Sequence, residues 1–326
     1  MGPLTNLANK LSGCTPGWSA AYLHDGVSEL RVSGQRQLWP HPAPLHSGSL
    51  YDLASLTKVV GTTTLFLQAL AAGSVSLDQP LNTLLPEFGA QTTFRQALTH
   101  TSGLEGYIPH RDELAATALR QALLTQLTVT AECDTQVVYR DVNLLLVGWA
   151  LEKLYLAPIQ TLITRRVLKP LGLDSATFTP AASRCVPTSY SPATGLRQGV
   201  VHDPKSAILG CHSGAAGLFA SLEDLMRFSE FAFGVRLSAA WPAPFGRLVA
   251  DYTKAGLGRS LGWDLRIDAA KRLWLYHTGY TGTFWLLQPR LHRALIVLSN
   301  RVHPQPNVNF LARRDEFVAE FLKAQH

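Results

Sequence analysis

The chain has 326 residues, 46% of them hydrophobic, and a formal net charge of +6. That length and apolar share fit one large globular domain or two ordinary ones and exclude a disordered chain. The charge comes mainly from dispersed arginines, with no basic run interleaved with aromatics, which argues against nucleic acid and for solubility and some attraction of anionic substrates.

The opening segment, Met1 to Pro16, has no apolar core of signal-peptide length, and no stretch of about 18 apolar residues occurs anywhere. The expectation is a cytoplasmic protein with no membrane partner. Cys14, Cys133, Cys185 and Cys211 are far apart, form no Cys-x-x-Cys, and in a reducing compartment are expected as free thiols. His-Glu-x-x-His is absent as well, so neither metal nor cofactor is expected.

Trp18 to Leu23 alternates weakly and meets the turn pair Asp25-Gly26, beyond which Leu30 and Val32 mark a returning strand. Residues 35–48 read as a loop. The longest early helical pattern runs from Ser55 to about Ala72, carries Val59, Val60, Leu65, Phe66 and Leu70 inward, and stops at Gly73. Residues 74–105 are broken by Pro80, Pro86 and Gly89 around a short helix near Phe94–Thr99. Helical patterns follow at about Asp112–Leu127, Val142–Leu156 and Pro158–Leu168, the last ended by Pro170. Residues 175–215 are loop-rich. Ser221-Leu222-Glu223-Asp224 then caps an amphipathic helix to about Phe233.

From Gly262 the pattern turns to strands: Trp263–Ile267, Leu273–His277, Thr283–Leu287 and Ala294–Ser299, with a hairpin connection at Gln288 to Arg293. Phe310, Leu311, Phe317, Val318, Phe321 and Leu322 put one apolar stripe on a closing helix. The economical arrangement is one antiparallel sheet made from both chain ends, with the helical block inserted beside it. That places the Ser55 helix at the junction of two lobes, where clefts form.

Ser55 and Lys58 are three residues apart and would share a helix face. A serine needs a base, and a lysine can be one only where burial or a neighbouring cation lowers its pKa. Tyr139-Arg140-Asp141 precedes a helix. Asp141 or Asn143 could cap that helix and Tyr139 could simply pack, or the phenol could relay protons near Lys58. In His277-Thr278-Gly279-Tyr280 the plain alternative is a glycine-rich turn. The functional one is an edge strand in which His277 and Thr278 donate to substrate and the Tyr280 and Ser55 N–H groups form an oxyanion hole. Gly258-Arg259-Ser260-Leu261-Gly262 matches a nucleophile elbow but runs into a strand where the elbow needs a helix, so the match is accidental. His100 and His202-Asp203 read as loop-stabilising residues.

Three motifs thus stand in order: Ser55-x-x-Lys58, Tyr139-x-Asp141 and His277-Thr278-Gly279. With Leu98-Thr99-His100-Thr101-Ser102-Gly103-Leu104, Lys169-Pro170-Leu171-Gly172-Leu173, Ala216-Gly217-Leu218-Phe219 and Asn300-Arg301-Val302-His303-Pro304, the sequence resembles the class C β-lactamases, the penicillin-binding DD-peptidases and their esterase relatives, over nearly its whole length. The resemblance implies an α+β fold: an antiparallel five-stranded sheet flanked by helices from both chain ends, plus an inserted mainly helical domain. The expected boundaries are residues 1–75 with 255–326, and 76–254. It also implies a Ser55 acyl-enzyme, with Lys58 and Tyr139 sharing base and acid roles as a coupled pair, and Asp141, His277, Thr278 and Gly279 beside the substrate.

Two departures bear on specificity. The second motif commonly ends in asparagine, an amide that both donates and accepts, whereas Asp141 only accepts. Its charge would favour a protonated Lys58 and repel an anion, or it would orient Lys58. His277 stands where β-lactamases typically carry lysine, which weakens the fixed charge for a substrate carboxylate. The expectation is a hydrolase of a small-molecule ester or small amide. A DD-peptidase or β-lactamase is the alternative, and a catalytically idle ligand-binding homologue is the alternative of a different class.

Overall fold

The computed structural model describes residues 2–235 and 245–324; residues 236–244, inside the expected helical block, and the extreme termini lie outside them. The strands are β1 (Gly17–His24), β2 (Val27–Gln37), β3 (Ala43–Pro44), β4 (Asp264–Ile267), β5 (Leu273–Thr278), β6 (Phe284–Gln288) and β7 (Arg293–Ser299). They form one antiparallel sheet in the order β4-β5-β6-β7-β1-β2-β3. The two chain ends meet where β1 pairs with β7, with Ala20 opposite Val297 and Tyr22 opposite Leu295.

The sheet has seven strands rather than five. Six of them, β1, β2 and β4 to β7, follow the strand patterns read in the sequence; the seventh, the outer strand β3 in the stretch read as loop, pairs with the far end of β2 across a register shift between Gln35 and Gln37. Pro44 has no N–H to give and is therefore suited to an edge.

Strand periodicity divides the core. Trp18, Ala20, Tyr22, Trp274, Tyr276, Phe284, Leu286, Leu295 and Val297 point to one face, under helices α1 (Pro3–Leu11) and α9 (Asn309–Lys323). Helix α1 was not foreseen. Its apolar residues Leu4, Leu7 and Leu11 recur at helical spacing, but a segment this short becomes a helix only by docking, here against α9.

The other face carries Ala21, Leu23, Leu275, Trp285, Leu287 and Ile296 and continues without a break into the helical block. Behind the Ser55 turn, a wide helical turn at Lys58–Thr63 leads into α2 (Thr64–Ala71). Helices α3 (Phe94–Thr99), α4 (Ala116–Thr125), α5 (Asp141–Tyr155), α6 (Ile159–Ile163) and α7 (Pro204–Leu209) follow. Helix α4 starts later than expected because Arg111–Glu113 forms a separate short turn, and Leu114 and Ala115 are extended. Helix α8 (Leu222–Ala232) has its expected box, in which the Ser221 hydroxyl and the Asp224 N–H meet while the Asp224 carboxylate accepts the Ser221 N–H, and it packs on β1 and β7.

Candidate active site

Ser55 sits in a tight turn rather than inside a regular helix. Ala54 before it has a left-handed φ of 46°, and the Lys58 N–H donates to the Ser55 carbonyl at 3.0 Å. The turn is held from below by Asp52, whose carboxylate accepts the Ala54 N–H at 2.8 Å and the His202 N–H at 2.7 Å. Burial pushes the Asp52 carboxyl up to about 6, and the two N–H donors offset only part of that. Strand β5 runs against the same turn. The Gly279 Cα lies so close that a Cβ there would stand 2.6 Å from the Leu53 carbonyl oxygen. Thr281 and Thr283 also donate to the Asp52 and Leu53 carbonyls, at 2.8 and 3.2 Å.

Lys58 is 1% exposed, and its Nζ lies 2.8 Å from each of three oxygens: Ser55 Oγ, the Ala215 carbonyl and Asp141 Oδ1. Three acceptors around one nitrogen match an ammonium with three protons. Burial alone would pull this pKa down. The Asp141 carboxylate and the Tyr139 phenol outweigh it, and the net direction is upward. A lowered lysine pKa, the condition for Lys58 alone to be the base, is therefore not met. Asp141, in the first turn of α5 where a negative charge suits the helix dipole, is held well below the usual carboxylate range by Lys58 against its own burial, with help from Lys205. Its second oxygen is 3.0 Å from Lys205 Nζ. Both Asp141 oxygens are thus engaged by ammonium groups.

Tyr139 is 44% exposed, with the Lys58 ammonium 5.4 Å from its ring centre. Its ring is flanked by His100 at 4.4 Å and His277 at 6.0 Å. His100, at the left-handed end of α3, accepts at Nδ1 from the Arg140 N–H at 3.3 Å and the Asn143 amide at 3.1 Å. That leaves its proton on Nε2. His277 donates from Nδ1 to the Thr278 carbonyl at 2.9 Å, and its Nε2 is buried without a partner. Burial first, then Lys58 and Arg259, push its pKa down to about 3, so it is neutral near pH 7.

A cavity of about 560 Å³ opens above these groups, lined by Ala54, Ser55, Tyr139, Asp141, Arg197, His202, Asp203, Ala216, Thr278 and Tyr280 among others. Lys58 and His277, both buried, and Gly279 are not part of that lining. A second groove of about 950 Å³ runs from Tyr139, His277 and Thr278 along β4 to the end of α9. Tyr280, 55% exposed, stacks on His202 at 5.4 Å and lies under Arg301 at 4.9 Å. Among the described residues no cluster of three or more His, Cys, Asp or Glu is placed to hold a metal.

The fold therefore gathers Ser55, Lys58, Tyr139, Asp141, Thr278 and Tyr280 from three distant segments. Lys205 and Arg197 escaped the sequence reading, and Asp52, part of the segment Asp52-Leu53-Ala54-Ser55-Leu56-Thr57-Lys58 that carries the resemblance, had no role of its own in it. Asp203-Pro204 was a helix-start signal within the stretch read as loop: the Asp203 side chain caps α7 by accepting the Ser206 N–H at 2.7 Å, and Pro204 follows at the first helical position. His100, read as loop-stabilising, does hold its loop, and it also touches Tyr139.

A serine and a tyrosine on the wall of one cavity, with a buried lysine on the serine hydroxyl, define a serine-hydrolase type of site, and the comparisons agree. The Beta-lactamase family profile matches residues 6–320, and the chain belongs to that family of serine hydrolases. A putative D-alanyl-D-alanine carboxypeptidase of Escherichia coli (strain K12) is 25% identical, over 90% of this chain and 77% of its own. The fold is shared with a Pseudomonas syringae beta-lactamase/D-alanine carboxypeptidase (TM-score 0.77, 19% identity, 97% of both chains). It is shared too with EstCE1, described as a hydrolase with promiscuous acyltransferase activity (TM-score 0.75, 19% identity, 97% of this chain and 99% of that one). Class C β-lactamases are also among the structural neighbours.

Proposed function

We propose that the protein hydrolyses small carboxylic esters, or small amides, through an acyl-enzyme on Ser55. The observation that carries this is the contact of Ser55 Oγ with the buried Lys58 ammonium at 2.8 Å, beside Tyr139 on the cavity wall. The Lys58–Tyr139 pair, short of one proton, is the base. Asp141 and the Ala215 carbonyl favour the ammonium form of Lys58, which directs the incoming proton to the phenolic oxygen of Tyr139. The Ser55 proton passes to the phenolic oxygen as Oγ attacks the carbonyl carbon. The oxyanion is received between the N–H groups of Ser55 and Tyr280, neither of which donates to another described protein group. Collapse expels the leaving group, which takes the proton from Tyr139. Water then enters by the reverse path, giving up its proton to the same pair and releasing the acid.

The ester preference rests on two features. Asp141, with both oxygens held by lysines, offers a substrate amide no donor. His277, neutral and with Nε2 buried, offers a substrate carboxylate no charge. A D-Ala-D-Ala peptidase or β-lactamase is the second reading, favoured by what the E. coli relative and the P. syringae structure are called. Intact-protein mass spectrometry decides, with wild type and Ser55→Ala each exposed to a fluorophosphonate and to benzylpenicillin. Fluorophosphonate labelling of wild type alone, with p-nitrophenyl butyrate turnover lost in Ser55→Ala, is the expected result. A stable penicillin adduct at Ser55 would move the assignment to the second reading. No labelling by either reagent would refute both.

A further inference from the structure

Lys205 reaches the site from α7, an element that carries none of the three motifs. Its backbone is fixed by the Asp203 cap and by Pro204, and its Nζ stands 3.0 Å from Asp141 Oδ2 while Lys58 Nζ stands 2.8 Å from Oδ1. One carboxylate thus bridges two ammonium groups, with Lys58 1% and Lys205 16% exposed. A motif ending in asparagine would place one neutral amide here. An aspartate with a lysine on its far oxygen has the same net charge as that amide.

We infer that Lys205 is a positioning residue acting through Asp141: the two side chains form a neutral unit in place of an asparagine and keep the Lys58–Tyr139 pair from facing an uncompensated anion. The inference rests on the hydrolase reading above. Without Lys205, the whole charge of Asp141 would act on Lys58 and hold the proton on the pair. With Lys205, the second cation cancels much of that field. A unit charge at this range, partly screened, moves a neighbouring pKa by about one to two units.

Among the described residues, the other charged or titratable groups facing the site form no ion pair with Asp141. Asp203 on α7 lies 3.8 Å from Lys205 and adds negative charge. His100 after α3 and His277 on β5 are kept neutral by burial. Burial likewise lowers His202, which lines the cavity beside Arg197. Arg197 gives an N–H to the Val201 carbonyl at 2.6 Å; Arg259, before β4, faces Asp264 at 3.8 Å and acts by charge on Tyr139, but forms no ion pair with Asp141.

The test is the pH dependence of kcat/KM for p-nitrophenyl butyrate in wild type, Lys205→Met, Lys205→Arg, Asp141→Asn and Asp141→Asn/Lys205→Met. Thermal melts report folding, and fluorophosphonate labelling of Ser55 reports the nucleophile. Lys205→Met should move the rising limb up by about one pH unit, so that activity at pH 7 falls about tenfold and returns near pH 9. Lys205→Arg keeps the charge and should leave the limb in place. Asp141→Asn should move it down, and the double variant should bring it back to within about half a unit of wild type. A lysine that only supported the fold would lower kcat/KM by one factor at every pH.

A folded Lys205→Met with an unmoved limb overturns the inference and leaves the hydrolase reading standing. So does a double variant whose limb coincides with that of Asp141→Asn, a comparison that decides the matter even if Lys205→Met does not fold. A wild type that neither turns over the ester nor labels at Ser55 overturns the hydrolase reading, and this inference with it.

Discussion

His100 and Tyr139 lie with ring centres 4.4 Å apart, and the imidazole Nδ1 accepts the backbone N–H of Arg140, the residue after the tyrosine. One buried ring therefore fixes both the plane of the Tyr139 phenol and the backbone that carries it. Replacing His100 by Ala removes the ring and leaves the Arg140 N–H and the Asn143 amide short of an acceptor. The expected cost is about 2–4 kcal/mol of stability. In the folded fraction kcat should fall by more than tenfold with little change in KM. Chemical denaturation and steady-state kinetics with p-nitrophenyl butyrate measure the two. A stable variant with unchanged kcat would show that Tyr139 needs no such support.

Gly279 is required by space. A Cβ would stand 2.6 Å from the Leu53 carbonyl oxygen and 3.3 Å from the Ala54 Cβ, and would also crowd the Thr283 hydroxyl. Gly279→Ala must push β5 away from the Ser55 turn, at about 1–3 kcal/mol. The Tyr280 N–H would move with it. A loss of Ser55 labelling by fluorophosphonate much larger than the change in melting temperature is the expected sign. Equal labelling rates in the two proteins would contradict it.

Asp52 gives a pH signature. Its carboxyl is raised from 3.8 to about 6, so the folded state holds this proton more tightly than the unfolded state. The stability it contributes is complete below about pH 4 and is lost as the pH rises through 6. The difference in unfolding free energy between wild type and Asp52→Asn should therefore fall by about 3 kcal/mol between pH 4 and 7 and stay level above. Urea midpoints at a series of pH values would show it, and a flat difference would mean that the buried carboxyl titrates as in an open chain.

His277 gives the opposite sign. Its pKa is lowered from 6.5 to about 3, so the unfolded state binds the proton better and this site costs stability as the pH drops from 6.5 towards 3. Relative to His277→Asn, the wild type should lose stability over that window. The ring also stays neutral at pH 5, so acidification should not create a cation for a substrate carboxylate. Benzylpenicillin labelling should be no faster at pH 5 than at pH 7. A rise with a midpoint near 6 would show that His277 charges in the folded protein.

Much of this site is legible in the linear chain, because its chemistry is local. Ser55 and Lys58 are three residues apart, Tyr139 and Asp141 two, and Thr278, Gly279 and Tyr280 consecutive. The strand pattern at both ends is equally readable, since short apolar runs bounded by turn residues mark strands buried on both faces and Asp25-Gly26 marks the first turn. Helix α1 was not readable, because a helix of nine residues depends on the partner it docks against.

What only the tertiary structure decided is the electrostatics. Residue types alone left open whether Lys58 is lowered by burial or raised by a partner, and whether Asp141 repels a substrate or serves the lysine. Those questions turn on distances between segments: Asp141 to Lys58 at 2.8 Å, Asp141 to Lys205 at 3.0 Å, and the depth at which His277 and Asp52 are buried. A charge acts through space and through the local dielectric. Lys205, 64 positions from Asp141, enters the site only when the chain has folded.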